Sequence, residues 1–389
     1  MLVVIADDLT GAAEIAGVCL RRQIPVAFGI DAIPEVLKPV TIIATDTRSL
    51  SETEAHYQHL KIAKQLKLKG DVVVFKKCDS VLRGHVLSEL SALLTVFEKD
   101  RVLLQPSNPL GKRCVKDGVY LINNIPIAET HFASDPDFPA RFSEVKNILS
   151  DKSLKFNTVR SVCTGGISTI GHAGVFVPDC TSEKDLAKSS ALYNNSMLLA
   201  GSAAFFDSIL YHLVGAVAHA VPDVKVFEAA DRFVLVSGSA FPESLQFAEQ
   251  LSNKGVPLLY FPDAMLKPSC EPKVCAGFSK KLIKTYKRES RLVLRIARED
   301  IVFPESSKLL KERLSTVLNQ LVSKTQIPEL FVEGGATAYH LLKTLGWTDC
   351  VPVQELAHGV VRLVNTQNKK AHITIKPGSY RWPEQVFKC

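Results

Sequence analysis

Short apolar runs that stop abruptly at polar or glycine-rich corners dominate the first hundred residues. Leu2 to Ala6, Val26 to Ile30, Thr41 to Ala44, Val72 to Phe75 and Val102 to Leu104 have the length and composition of buried strands. Between several of them the period changes to that of a helix, at Gly11 to Arg22, Glu52 to Leu68 and His85 to Phe97. The last of these places Val86, Leu87, Leu90, Leu93, Leu94 and Phe97 on one face. Such alternation predicts a mostly parallel sheet with right-handed crossovers. From Pro106 to about Pro139 the period fails while Pro, Gly, Asn and Asp accumulate, which predicts a long structured loop.

A second series follows, with strands at Val175 to Val177 and Ser196 to Gly201 and a helix at Ser182 to Ser190. The stretch from Val221 to Asp231 reads as a linker, giving domains of residues 1–225 and 226–389. Beyond it, strands are expected at Phe233 to Val236, Pro257 to Tyr260, Leu292 to Ile296 and Leu330 to Val332, with helices at Pro242 to Leu251 and Ser306 to Lys324. The fold class is therefore α/β, with two α/β domains of mostly parallel sheet. A chain of 389 residues exceeds the size at which one core usually stops growing, which agrees with two domains.

Composition excludes more than it selects. Hydrophobic residues at 46% and charged residues at 22% exclude a disordered or fibrous chain. The net charge of +7 is spread in runs of two, such as Lys280-Lys281, without interleaved aromatics, so nucleic acid is not expected as a partner, whereas small anions fit. The nine cysteines have no paired C-x-x-C spacing and are expected to be reduced thiols; Cys270 and Cys275 are the closest pair. No apolar run suits a signal sequence or a membrane span, so a cytoplasmic protein with no membrane partner is expected.

The candidate chemistry lies where strands end, since ligands of open α/β sheets sit beyond the carboxyl ends of the strands. The first strand runs into Asp7-Asp8-Leu9-Thr10-Gly11, and another into Lys76-Lys77-Cys78-Asp79-Ser80-Val81-Leu82-Arg83-Gly84. Cations, carboxylates, a hydroxyl and glycine together suit a small polyhydroxylated anion. Successive strand residues face opposite ways, so Asp7 and Asp8 point together only if the chain turns between them; Asp8 or Thr10 also suits a helix cap. In the second half, Ser237-Gly238-Ser239 and Glu333-Gly334-Gly335-Ala336-Thr337 are strand-to-helix corners that admit phosphate oxygens to bare backbone NH groups. Together with Lys376-Pro377-Gly378-Ser379 they favour a nucleotide. The Walker A, protein-kinase and G-x-G-x-x-G signatures are absent, so the usual ATP and dinucleotide folds are not indicated.

These segments carry a resemblance. Asp7 to Ala12, Thr47-Arg48-Ser49, Lys77 to Gly84 and the block Pro106 to Pro136 resemble the four-carbon acid sugar kinases. Within that block Pro106-Ser107-Asn108-Pro109, Gly111-Lys112-Arg113, Asp117-Gly118, Pro126-Ile127, Glu129-Thr130 and Asp135-Pro136 stand in the family's order. The corners at Ser237, Gly334 and Lys376 look like the family's nucleotide-binding elements. The resemblance implies sheets facing a central cleft, with a four-carbon sugar acid on the N-terminal domain and ATP with Mg2+ on the C-terminal domain.

By that resemblance Arg83 and Lys77 bind the substrate carboxylate or steady phosphate oxygens, Asp79 and Ser80 meet hydroxyls, and Arg48 serves the same acid or forms a salt bridge. One of Asp7 and Asp8 accepts the proton of the attacking hydroxyl, leaving the other to orient substrate or metal. Ser237, Gly238, Ser239, Gly334, Gly335, Ala336, Thr337, Gly378 and Ser379 are the expected nucleotide contacts; no metal ligand is assigned. Lys112, Arg113, Glu129 and His131 either close over the substrate or fix the loop to its own domain. Two positions depart from the family pattern, Ala336 where an acidic residue is common and Arg381 where a glycine follows an aromatic residue. The implied activity is ATP-dependent phosphorylation of threonate, erythronate or 3-oxotetronate at the 4-hydroxyl. The alternatives are a catalytically silent nucleotide and sugar-acid binding protein, supported by Ala336, and a nucleotide-independent isomerase or dehydratase. A homodimer is left open.

Overall fold

The computed structural model describes residues 1–135, 137–151, 162–165, 173–214, 227, 230–238, 242–296, 306–367, 371–378, 380–383 and 386–387. The expected boundary near residue 225, Ser239 and Ser379 lie outside the described residues. The chain divides into two compact units, Met1–Val18 with Asp31–His219, and Cys19–Ile30 with Ala220–Cys389.

In the first unit a fully parallel sheet runs in the order Val40–Ala44, Leu2–Ala6, Val73–Lys77, Met197–Gly201, Arg101–Gln105, Gly174–Pro178 and Val162–Gly165. Alternation along the strands gives both faces an apolar surface, as a parallel sheet covered by helices requires. Val74 packs with Ile62, Leu66, Leu90 and Leu93 under helices Glu52–Lys67 and Val86–Phe97, whereas its neighbour Phe75 meets Phe205 and Phe206 of helix Ala203–Val214. Helix Glu52–Lys67 starts at Ser51, whose side chain accepts from the Glu54 NH while Glu54 accepts from the Ser51 NH. This reciprocal cap satisfies two donors that the first turn leaves without partners.

The block expected to be a long loop contains a small antiparallel sheet, Arg113–Lys116, Val119–Ile122 and Ile125–Pro126. Strands of two to four residues are too short to show a period. The turns between them did carry a signal: Asp117-Gly118 and Asn123-Asn124 all adopt positive φ, the requirement of tight hairpin turns.

The second unit has a parallel series in the order Leu258–Tyr260, Arg291–Arg295, Phe233–Ser237, Glu329–Glu333 and His372–Lys376. Strand Val360–Asn365 pairs antiparallel with the last of these and with Asp349–Ala357, and the latter pairs antiparallel with Val26–Ile30. In the register of that last pair, Gly29 faces Asp349 and Phe28 faces Cys350. The core of this unit is aromatic, with Phe331 in contact with Phe233, Trp382 and Phe387 at centroid distances of 6.0, 5.6 and 4.6 Å. Phe331→Ala is expected to cost about 3–5 kcal/mol, read as an earlier urea midpoint followed through Trp382 fluorescence; an unchanged midpoint contradicts this packing.

Candidate functional site

Three adjacent parallel strands deliver the first cluster. Ala6 lies in register with Ala44 on one side and Lys77 on the other, so the residues that follow each strand emerge side by side. The chain bends at Asp7 and Asp8 before helix Leu9–Arg21, and this turn brings both carboxylates onto one guanidinium. Arg48 Nε donates to Asp7 Oδ2 at 2.9 Å, and Nη2 lies 2.9 Å from the same oxygen and 3.1 Å from Asp8 Oδ1. Nη1 donates to Asp8 Oδ2 at 3.3 Å and stands 3.9 Å from Asp79 Oδ1.

Asp8 also caps the helix, accepting from Gly11 NH at 2.9 Å and from the Thr10 hydroxyl. Both capping candidates thus belong to one arrangement. A Cβ on Gly11 would lie 2.6 Å from Asp8 Oδ1 and 2.9 Å from Lys77 Nζ, so only glycine permits this approach. Lys77 Nζ donates to the Cys78 carbonyl oxygen at 2.9 Å and lies 3.5 Å from Glu14.

The other predicted cation is already engaged. Arg83 donates to both oxygens of Asp79, at 2.8 and 3.1 Å, and to Asp135 Oδ2 at 3.1 Å, with its guanidinium 5.7 Å from the Phe132 ring centroid. Ser80 accepts a hydrogen bond from Arg113, and its carbonyl oxygen accepts from the Tyr120 hydroxyl. Arg113 therefore ties the antiparallel block to the cluster. His131 lies beside Phe132 with tilted rings and centroids 4.2 Å apart.

Charge states follow from this packing. Burial opposes the charge on Asp7, yet Arg48, Lys76 and Lys77 together hold its carboxyl below the usual value. Burial likewise opposes the charge on Asp79, and Arg48 and Arg83 overcome it. Burial works against the Lys77 ammonium, but Glu14, Asp8, Asp7 and Asp79 hold its pKa above the ordinary value. Asp7 Oδ1 is buried and has no hydrogen-bond partner, an unusual state for a carboxylate oxygen and one that a ligand donor would relieve.

Sequence reasoning missed the layer beneath. Lys76 faces away from Lys77 and is fully buried, with Nζ 2.9 Å from Glu89 Oε2. Glu89 also accepts from the Thr47 hydroxyl at 2.5 Å. His59 donates through Nδ1 to the Ala55 carbonyl oxygen, while its Nε2 is buried without a partner. Strand alternation from Val74 to Lys76, and an acidic residue inside the apolar helix Val86–Phe97, were the available signals.

In the second unit Ser237, Gly238, Gly334, Gly335, Ala336 and Thr337 meet at neighbouring strand ends, because Ser237 is in register with Glu333. A Cβ on Gly238 would stand 2.6 Å from Thr337 Oγ1, so the two corners approach through glycine alone. Gly334 opens helix Gly335–Thr344 without a side-chain cap, so no capping side chain meets its first NH groups. Ser237 itself is buried in a network: its hydroxyl donates to Glu333 Oε2 at 2.5 Å and accepts from Arg295 Nη1 at 3.2 Å. Trp382 Nε1 donates to Glu333 Oε1 at 2.6 Å, and Lys376 Nζ lies 3.4 Å from the same oxygen. Lys376 turns back on its own segment, donating to the carbonyl oxygens of Pro377, Gly378 and Tyr380. It shapes the turn that carries Gly378. Burial lowers its pKa, with Glu333 opposing.

A family model described as a sugar-binding N-terminal domain matches residues 2–209. A D-threonate kinase of Salmonella typhimurium is 25% identical over 378 residues, covering 89% of this chain and 86% of that protein. A D-erythronate kinase of Heliobacterium modesticaldum is 27% identical over 48% of this chain and 46% of its own. A 3-oxo-tetronate kinase of Salmonella typhimurium is 29% identical over 38% of this chain and 36% of its own. Among solved structures, a Salmonella typhimurium protein described provisionally as a tRNA synthase superposes with a TM-score of 0.79 at 18% identity, over 99% of this chain and 97% of that one. A Haemophilus influenzae protein does so with a TM-score of 0.72 at 15% identity, over the same shares. At these identities the superpositions establish the fold alone, an α/β chain with mostly parallel sheet. Among the described residues no helix is long and apolar enough to cross a membrane.

Two predictions test the buried layer. Glu89→Ala leaves the Lys76 ammonium buried without its counter-charge and is expected to cost about 3–5 kcal/mol in denaturant unfolding. A loss within experimental error contradicts the pairing. Burial pushes the His59 imidazole down to about 4, against partial compensation by Glu89. The unfolded chain therefore binds a proton that the folded chain refuses between pH 6.5 and 4. Stability falls by about 3 kcal/mol as pH drops through that window. His372, also lowered by burial, contributes to the same slope, so the readout is the difference between wild type and His59→Gln; parallel pH profiles contradict the assignment.

Proposed function

Because the chain belongs to the family of the sugar-binding N-terminal domain, we propose that it is an ATP-dependent kinase of a four-carbon sugar acid, acting on the terminal 4-hydroxyl. The observation that carries this reading is the convergence of Asp7, Asp8, Arg48, Lys77 and Asp79 at three neighbouring strand ends around a carboxylate oxygen with no partner. The names of the relatives, kinases of threonate, erythronate and 3-oxotetronate, give the substrate class.

In this reading the carboxylates recognise hydroxyl groups. Asp79 Oδ1 retains an acceptor lone pair beyond the one used by Arg83, Asp7 Oδ1 has no partner, and a polyol supplies the donors. Asp8 accepts the proton of the attacking hydroxyl, because its side chain is 16% exposed against 2% for Asp7. Asp7, held below its usual pKa, fixes Arg48 in place. The hydroxyl oxygen attacks the terminal phosphorus, the proton passes to Asp8, and ADP departs. Arg48 and Lys77 offset charge that develops on the phosphoryl oxygens.

The triphosphate fits the glycine corner of the second unit, where a side chain at Gly238 would fill the space beside Thr337 and the helix at Gly335 offers uncapped NH groups. Magnesium normally takes one or two carboxylates along with phosphate oxygens and water. No group of three or more ligating side chains occurs among the described residues.

Purified protein with ATP and Mg2+ is expected to release ADP only when a threonate, erythronate or 3-oxotetronate is present. Asp8→Asn should lower kcat by about 10²–10⁴-fold while ADP affinity is kept. An Asp8→Asn enzyme with normal turnover rejects that residue as the base. Ligand-induced thermal shifts without ADP release favour the silent binding protein, and conversion of the acid without nucleotide favours the isomerase.

A further inference from the structure

We propose that a cavity of about 240 Å³ within the second unit, between helix Pro242–Asn253 and the segment Tyr380 to Trp382, receives the heterocyclic base of the nucleotide. This rests on the kinase reading and adds to it a site that neither the glycine corners nor the sugar-acid cluster includes. The cavity shares Glu333 with the corner, and Gly334 follows directly, so a nucleotide with its phosphates at Gly334 and Gly335 has its base within reach of this space.

The lining suits a flat, edge-polar ring. Glu243, Gln246, Phe247 and Gln250 are spaced i, i+3, i+4 and i+7 and form one face of their helix. Two carboxamides on one wall offer both donors and acceptors, which the edge of a nucleobase requires. Phe247, Tyr380 and Trp382 contribute aromatic surface. Their positions are fixed before any ligand arrives. Trp382 is held by its hydrogen bond to Glu333 and by Phe331, Tyr380 stacks on His358 at 6.1 Å, and Phe247 packs on Phe387 at 5.5 Å.

Charge and size exclude the other parts of the nucleotide. Among the described residues Glu243 and Glu333 face the space with Arg381 as the one lining cation, a poor environment for a triphosphate. Sites for drug-sized ligands span roughly 300–1,000 Å³, so this volume suits a ring system and leaves the phosphates outside. A sugar acid lacks the planar face that three aromatic side chains would recognise.

The chain has two tryptophans, and Trp347→Phe leaves Trp382 as the sole reporter. In that background ADP is expected to change Trp382 emission with saturation, whereas tripolyphosphate, which lacks a base, binds by calorimetry without the optical change. Gln246→Ala and Gln250→Ala, both at exposed positions, should weaken ADP about tenfold and tripolyphosphate less than about twofold. ADP binding with silent Trp382 and unaltered affinity in both variants overturns the cavity assignment and leaves the kinase reading standing. Absence of ADP binding in the parent protein overturns both.

Discussion

The site depends on one guanidinium. Arg48 lies within ion-pair distance of Asp7, Asp8 and Asp79, which come from two other strand ends, and so it sets the spacing between those ends. Three carboxylates crowded into a buried corner repel one another, and a paired cation is what lets them remain charged there. Burial opposes the Arg48 charge, yet Asp7, Asp8 and Asp79 raise its pKa well above the ordinary value. Lys76 and Lys77 extend the arrangement, one downward to Glu89 and the other toward Glu14. The result is a nearly compensated network in which Asp7 Oδ1 is a buried oxygen without a hydrogen-bond partner. A site built this way selects ligands by donated hydroxyl hydrogens more than by net positive charge.

The second unit uses the opposite arrangement. There one carboxylate, Glu333, gathers Ser237, Trp382 and Lys376, while Arg295 reaches Ser237 from the neighbouring strand. This network lies beneath the glycine corner and holds the strand ends on which Gly238 and Gly334 are carried. Its charged groups are spent on structure, so in the proposed reading anion binding there falls to backbone NH groups at the start of helix Gly335–Thr344. Ala336 sits in that first turn and has no carboxylate to repel a phosphate.

Much of the first cluster was legible because parallel strands concentrate chemistry at their carboxyl ends, and the sequence displays those ends as abrupt changes from apolar to polar residues. Asp7, Arg48 and Asp79 are far apart in the chain, and register alone brings them together. What pattern could not reveal was pairing. Arg83 reads as an open cation, but its partner Asp135 lies 52 residues on, in a block whose short strands show no period. Lys76 stood beside Lys77 in the same run, and its pairing with Glu89 across to helix Val86–Phe97 went unread although strand alternation and the acidic residue in that apolar helix pointed to it. Strand Val26–Ile30 was visible as a strand, whereas its antiparallel partner Asp349–Ala357 was not.

The central claim is that these strand ends hold a sugar acid for phosphoryl transfer. Its most direct measurement follows the label from ATP carrying radioactive terminal phosphate, in the presence of threonate or erythronate, with products separated by chromatography. The account predicts label in an acid-stable ester of the four-carbon acid, lost when Arg48 is replaced by Met. Label that stays in ATP, or that emerges as inorganic phosphate at the same rate with or without the acid, would contradict it.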